Sequence, residues 1–274
     1  MNREPLLETG GFNQVIKGYG GYYVYNVHDM YIGRSIATYG EYAGLEAHFL
    51  EQLCDVGDMV IEVGANIGAL TVPIANRVGP TGGVLAFEPQ HLVFQSLCAN
   101  VAINSLTNVD CYWAAADTTS GSVVVPELDF RQRNNFGAVS IVDAQQGRRV
   151  PSLALDEFLF LPKLRLIKID VEGMEQGVIR GGTQLIAKFK PVLYVENDRV
   201  DKSESLMRLI DSLGYVMYWH IPRLFNPNNF FGEMTNIFGN VGSFNMVCAH
   251  RDQNANMEGL ERITDFSSHP LRGP

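Results

Sequence analysis

Met59-Val60-Ile61-Glu62-Val63-Gly64-Ala65-Asn66-Ile67-Gly68 is the stretch whose reading decides the fold. Met59 to Val63 is a compact apolar run, broken only by Glu62, and reads as a buried strand. Gly64 and Gly68 permit a tight turn and a close approach of a ligand to the backbone. Ala69 to Arg77 then fits a helix that stops near Gly79-Pro80, with Pro73 in its first turn, where a missing N–H costs little. A strand, a glycine turn and a helix in that order aim a helix N-terminus at whatever sits above the sheet. The next apolar run, Val84 to Phe87, ends in Phe87-Glu88-Pro89. Glu88 stands 20 positions beyond Gly68, where an acid can accept both hydroxyls of a ribose. The pair of strand ends therefore predicts a nucleotide-like ligand.

The alternation continues downstream. Leu92 to Asn104 reads as a helix, Val109 to Ala114 as a third strand, Leu164 to Ile169 as a fourth, and about Glu175 to Ala187 as a helix. Val192 to Val195 is a fifth strand and Ser203 to Leu213 a helix ended by Gly214. Tyr215 to Trp219 and Phe244 to Ala249 are the candidate last strands. Buried strands alternating with amphipathic helices imply an α/β domain with a mostly parallel sheet covered on both faces. Upstream, Tyr42 to Cys54 reads as a helix, and the Gly- and Tyr-rich residues 1–40 as an arm or short hairpin. Asp117 to Val150 is polar and turn-rich and reads as an insertion or a loop over the sheet edge. The expected organisation is an arm at 1–40, a domain at 41–251, and a polar, loose tail at 252–274.

Of 274 residues, 46% are hydrophobic and 19% charged, with a formal net charge of −9, a globular composition with ample core material. The acidic balance argues against a nucleic-acid partner, which calls for a basic face, and against docking on an anionic membrane. Cys54, Cys98, Cys111 and Cys248 are scattered and fit free thiols in a reducing cytoplasm better than disulfides or structural zinc. Met1 to Gly10 has no apolar core of a secretory signal. No apolar run approaches the roughly 20 residues needed to span a bilayer.

The turn also discriminates between nucleotides. Dinucleotide enzymes use G-x-G-x-x-G so that a pyrophosphate can approach. Here the run is G-A-N-I-G, with Asn66 in place of the second glycine. Glu62 would repel a pyrophosphate and would suit a cationic ammonium, such as the methionine end of S-adenosylmethionine. No Walker-type G-K-[ST] occurs. Two rivals stand beside a methyltransferase: a nicotinamide-dependent oxidoreductase, disfavoured by Asn66, and a non-catalytic binding module on the same fold.

The ordered set of motifs resembles the FkbM family of methyltransferases over about residues 40 to 250. Its carriers are Gly40-Glu41-Tyr42 with Glu46, Val63 to Gly68, Phe87-Glu88-Pro89, Asn100 with Asn104, and Leu155-Asp156. Ile167-Lys168-Ile169-Asp170-Val171-Glu172-Gly173-Met174-Glu175 is the strongest, followed by Gly181-Gly182 and by Pro191 with Glu196. The resemblance implies a class I methyltransferase Rossmann-like fold, with a seven-stranded sheet and S-adenosylmethionine as donor. It implies oxygen as the usual acceptor, on sugars, polyketides and related metabolites. One departure is Glu62, where the family more often has Asp.

Methyl transfer from a sulfonium needs donor and acceptor in line and a group that takes the hydroxyl proton. Such groups should project from the carboxyl ends of strands four and five. Asp170 and Glu172 after strand four and Glu196 after strand five are the candidate catalytic acids. Glu175 is a candidate helix-start acid. The expected cofactor contacts are Glu46, Glu62, Gly64, Ala65, Asn66, Gly68, Glu88, Asp117 and Asp170, with Asp117 near the adenine. Asp170, Glu196 and Asn197 also form an oxygen set that suits Mg²⁺, though chemistry without a metal is favoured. His220 is a further candidate base, with a satisfied histidine as the blander reading. Phe130 to Phe136 and Leu224 to Phe231 are candidate walls of an acceptor pocket.

Overall fold

The computed structural model describes residues 4–8, 10–142, 144–253 and 257–272. The outermost residues of the expected arm and tail, 1–3 and 273–274, lie outside that set. The chain begins with three short strands, β1 (Leu7–Glu8), β2 (Asn13–Gly18) and β3 (Gly21–Asn26), joined antiparallel. The aromatic repeat around Gly20-Gly21 thus forms a hairpin. Its Tyr23 and Tyr25 are buried against α1 (Ile32–Tyr39). Helix α2 (Gly44–Gln52) follows.

The alternating core comes next: β4 (Met59–Val63), α3 (Thr71–Val78), β5 (Gly83–Phe87), α4 (His91–Ile103) and β6 (Val109–Tyr112). Three strands, β7 (Ala115–Ala116), β8 (Gly121–Val125) and β9 (Arg148–Leu153), make a separate small sheet in the order β7-β9-β8. The core then resumes with β10 (Leu166–Ile169), α5 (Glu175–Gly181), α6 (Thr183–Phe189), β11 (Val192–Glu196), α7 (Val200–Ser212), β12 (Tyr215–His220), β13 (Asn245–His250) and β14 (Glu261–Arg262).

The large sheet has the order β6-β5-β4-β10-β11-β13-β12-β14. Strands β6, β5, β4, β10 and β11 run parallel, and β13 enters antiparallel between β11 and β12. The first seven are the class I methyltransferase arrangement, with the short β14 added at the edge. Chain order reverses between β4 and β10. The crevice above a reversal, outside the strand C-termini, is where open α/β sheets bind ligands. Both faces of β4 are covered, with Ile61 and Val63 in one core cluster and Val60 in the other.

The structure corrects three expectations. The stretch from Asp117 to Val150 is not merely a loop, since Val123 to Val125 pairs antiparallel with Arg148 to Val150. The helix expected from Glu175 to Ala187 is two, divided at Gly182. A Cβ on Gly181 would lie 2.1 Å from the Asp117 carbonyl oxygen, so this glycine lets the small sheet press on the helix. The tail is docked: β14 pairs with β12, Ile263 is in the main core, and His269 is buried.

Candidate active site

The Gly64 turn folds as the first strand and its glycines dictate. Gly64 takes φ 83° and Asn66 φ 51°, the left-handed region that Asn tolerates better than most residues. Asn66 stabilises that bend itself, its Oδ1 accepting the Ile67 N–H at 2.8 Å. A Cβ on Gly64 would stand 1.9 Å from the Asp170 carbonyl oxygen. Glycine at 64 therefore lets the β4 and β10 ends close up, and a valine there would disturb the sheet as well as any ligand. Gly68 takes φ 83° and makes the expected tight turn, but without the expected approach to a ligand. A Cβ there would meet Leu97 at 2.8 Å, and the residue is absent from the cavity lining.

A cavity of about 470 Å³ opens over the ends of β4, β5, β10 and β11. Glu46, Glu62, Gly64, Ala65, Asn66, Glu88, Asp170, Glu172 and Glu196 all line it. The sequence-derived set thus converges, apart from Gly68 and Asp117. Asp117 accepts its neighbour Thr118 N–H and faces Gly177 of α5, away from the cavity. Ala114, Ala115 and Ala116 line the wall that Asp117 was expected to serve.

At the β5 end, one Glu88 oxygen accepts the Asn66 N–H at 3.0 Å and the other the Gln90 N–H at 2.7 Å. The carboxylate is thus locked in place with a lone pair left on each oxygen for a ligand. Burial pushes its pKa up to about 7, against those two backbone donors. Glu62 accepts the Thr71 hydroxyl at 2.6 Å through Oε2, while its buried Oε1 has no partner. Burial raises Glu62 to about 7 as well, although Lys168 pulls the other way. A buried acceptor left without a donor calls for one from a ligand. The Glu88 acceptors, the orphaned Glu62 oxygen and the close-approach turn fit the ribose and ammonium ends of S-adenosylmethionine.

Lys168 is the residue the sequence reading passed over. Only 2% exposed, it lies at the centre of β10 and its Nζ stands 3.1 Å from Asp170 Oδ2. Burial alone would lower its pKa, but Asp170, Glu62 and Glu46 outweigh that and hold it above the usual lysine range. A charged residue inside Leu166-Ile167-Lys168-Ile169 was the available signal, because a buried strand keeps a charge only when it is paired. Glu46 accepts a long hydrogen bond of 3.4 Å from Asn245, which also donates to the Tyr194 hydroxyl at 2.8 Å. Burial raises Glu46 to about 7. The Tyr194 hydroxyl meets His220 Nδ1 at 2.8 Å, and burial lowers His220 to about 4. His220 is thus a neutral acceptor outside the cavity lining, the satisfied histidine of the blander reading.

Asp170, Glu172 and Glu196 bring ligand atoms within 4.8 Å of one another. Glu172 adopts φ 51° and is paired with Arg199. Burial, then Asp170, push its pKa to about 7. Burial and the facing Asp170 carboxyl raise Glu196 well above the usual range. Asn197 does not join them, because its amide donates to Ser203 Oγ and Met246 Sδ. Asn197 is also absent from the cavity lining that Asp170 and Glu196 share. The three acids that do meet already have two cations beside them, Lys168 and Arg199. Glu175, the first residue of α5, accepts the Gly173 N–H of the preceding turn.

The lining also includes Tyr31, Asn135, Gly137, Leu224, Phe244 and Leu271. Of the two expected acceptor stretches, Asn135 and Leu224 reach the cavity. Phe130 and Phe136 stack on each other beside a separate groove, and Asn226 serves Glu41. Among the described residues no helix is long and apolar enough to cross a membrane.

Among solved structures, the chain is similar to precorrin-6y C5,15-methyltransferase from Geobacter metallireducens GS-15, at 9% identity and TM-score 0.47, covering 74% of this chain and 87% of that one. It is similar to M. jannaschii TYW2 in complex with AdoMet, at 15% identity and TM-score 0.48, covering 94% and 90%. It is also similar to methyltransferase FkbM from Methylobacillus flagellatus KT, at 13% identity and TM-score 0.45, covering 80% and 55%. No curated protein matches it. The Methyltransferase FkbM domain matches residues 62–217, from the acid of the first strand to the sixth strand of the large sheet, which is more than half of the chain. The chain belongs to the FkbM family of S-adenosylmethionine-dependent methyltransferases.

Proposed function

We propose that the protein methylates a hydroxyl oxygen on a small acceptor, a sugar or a secondary metabolite such as a polyketide. The observation that carries this reading is the meeting of Asp170, Glu172 and Glu196 in the cavity that also holds the Gly64 turn and Glu88. S-adenosylmethionine, when bound, supplies a methyl group already activated on a sulfonium. Glu88 would hold the ribose hydroxyls, and Glu62 and Glu46 the amino-acid end. Ala65 and Asn66 would contribute the turn against the cofactor, and Ala114 to Ala116 a wall for its base. Asp170 would orient the acceptor hydroxyl and take its proton, with Glu172 beside it as the second acid of the pair. Glu196 supports Asp170 from the neighbouring strand. Lys168 and Arg199 place positive charge beside these acids, which favours chemistry without a divalent ion.

Seven acids line the cavity, namely Glu46, Glu62, Glu88, Asp170, Glu172, Glu196 and Asp198, against Lys168 and Arg199. That balance disfavours a polyanionic acceptor such as a nucleic acid. The nicotinamide alternative would place a pyrophosphate beside Glu62, an unfavourable charge pairing. The test is calorimetric titration with S-adenosylhomocysteine and NAD, followed by transfer of labelled methyl to a panel of sugars and polyketide alcohols. Binding of the first ligand only, and a base-stable methyl ether as product, is the expected result. Binding of NAD in its place, or transfer confined to amines, would overturn the reading.

A further inference from the structure

The C-terminal segment has no part in the chemistry assigned above, yet it reaches the cavity. Strand β14 adds to the edge of β12, and the Ile263 N–H donates to the Met217 carbonyl at 2.9 Å. The chain then returns across the sheet end to His269, only 5% exposed. His269 Nε2 lies 2.7 Å from the Asn197 carbonyl oxygen and must be the donor, since a carbonyl only accepts. Nδ1 then accepts the Leu271 N–H at 3.1 Å. The ring is held edge-on by Trp219, with centroids 5.2 Å apart. Arg272 donates to the Val200 carbonyl at 3.2 Å, at the first residue of α7.

These contacts converge on one place. Asn197 lies between Glu196 and Asp198, and Arg199 follows, so the histidine grips the backbone of the turn that carries the acceptor-side charges. Asn197's own side chain points away to Ser203 and Met246, which leaves the turn tied from both sides. Leu271, ordered by the same ring, is 50% exposed and lines the cavity with Leu224, Val241 and Phe244. A half-exposed leucine that lines the cavity, with three further apolar residues in the same lining, offers surface suited to apolar contact.

We propose that residues 261–272 form a wall of the acceptor site, in which His269 positions the turn after β11 and Leu271 offers an apolar surface to an acceptor carrying a hydrocarbon group beside its polyol. This rests on the methyltransferase reading of the cavity and deepens it by naming an amphipathic acceptor. His269 acts through the Asn197 backbone and is a positioning residue.

The probe is n-octyl glucoside below its micelle concentration, with glucose as control, added to full-length protein loaded with S-adenosylhomocysteine. Saturation-transfer NMR reads which ligand protons touch the protein. Alkyl protons should saturate in the wild type. Leu271→Asp should weaken octyl glucoside binding about fivefold, the share expected of one half-buried leucine. His269→Phe keeps the ring and loses both hydrogen bonds, so it should weaken binding similarly. His269→Gln places an amide N–H near the Nε2 position and should restore it. Affinity for S-adenosylhomocysteine should stay unchanged in all three. Failure of the wild type to bind S-adenosylhomocysteine would sink the methyltransferase reading. Normal cofactor binding without alkyl saturation would overturn the wall. So would alkyl saturation that Leu271→Asp and His269→Phe leave intact.

Discussion

Replacing Lys168 with methionine keeps the length of the side chain and removes the cation that faces Asp170, Glu62 and Glu46 together. Two unit charges at the observed 3.1 Å attract by about 5 kcal/mol at an effective dielectric near 20. Asp170 is 38% exposed, so solvent trims that figure. Against the remainder stands the cost of having buried the ammonium, which the methionine no longer bears. Removing one partner of a buried pair usually costs 3–5 kcal/mol, because the other partner stays behind. We therefore expect Lys168→Met to lose about 3 kcal/mol of unfolding free energy at pH 8. The loss should depend on pH with a definite sign. Burial already holds Glu46 and Glu62 near pH 7, and without the cation both move higher. A carboxyl whose folded pKa is raised is most stabilising when protonated, and that contribution disappears as pH rises through the folded value. At pH 5.5 both are neutral, so the share of the loss that comes from Glu46 and Glu62 should disappear, while the share from Asp170 remains. Urea unfolding at the two pH values is the assay. A loss below 1 kcal/mol at pH 8, or an equal loss at both pH values, would refute the account of Lys168 as counter-ion to the acid cluster.

Three further outcomes are expected. Glu88→Ala should weaken S-adenosylhomocysteine binding by about 1.5–3 kcal/mol, the range for hydrogen bonds to a charged group, and unchanged calorimetric affinity would contradict the ribose placement. Asp170→Asn should lower turnover roughly 10²-fold with little change in cofactor affinity, and activity should survive EDTA; a fully active variant, or loss on chelation reversed by Mg²⁺, would count against the direct role of the carboxylate. Gly64→Ala should lower thermal stability even without ligand, since its Cβ would stand 1.9 Å from the Asp170 carbonyl; a stability equal to wild type would show that the two strand ends can part freely.

Much of the architecture was legible because it depends on short-range pattern. The apolar runs of β4, β5, β10 and β11 are buried on both faces, and such strands announce themselves as continuous hydrophobic stretches. The turn at Gly64 was legible for the same kind of reason, since strand, glycine and helix are contiguous. Glu62, Glu88, Asp170, Glu172 and Glu196 were nameable from their places at strand ends. Strand ends share one edge of a parallel sheet whatever the loops do.

What only the tertiary structure decided is where side chains from distant segments point and whom they meet. Asp117 and Gly68 sit at plausible positions in sequence, yet one faces α5 and the other packs under Leu97. The direction of a residue one step past a strand is set by the packing of the next element. Lys168 became a counter-ion because β4, β10 and α2 bring Glu62, Asp170 and Glu46 to one spot from three parts of the chain. The tail read as loose because its composition is polar. It is ordered because the edge of β12 offers unpaired backbone groups to β14 and the Asn197 carbonyl accepts from His269. Local patterning chose the strands and helices of this protein, because burial and backbone hydrogen bonding act over neighbouring residues. Charge pairing and docking of the last strand act between residues far apart in the chain, and only the folded backbone brings those together.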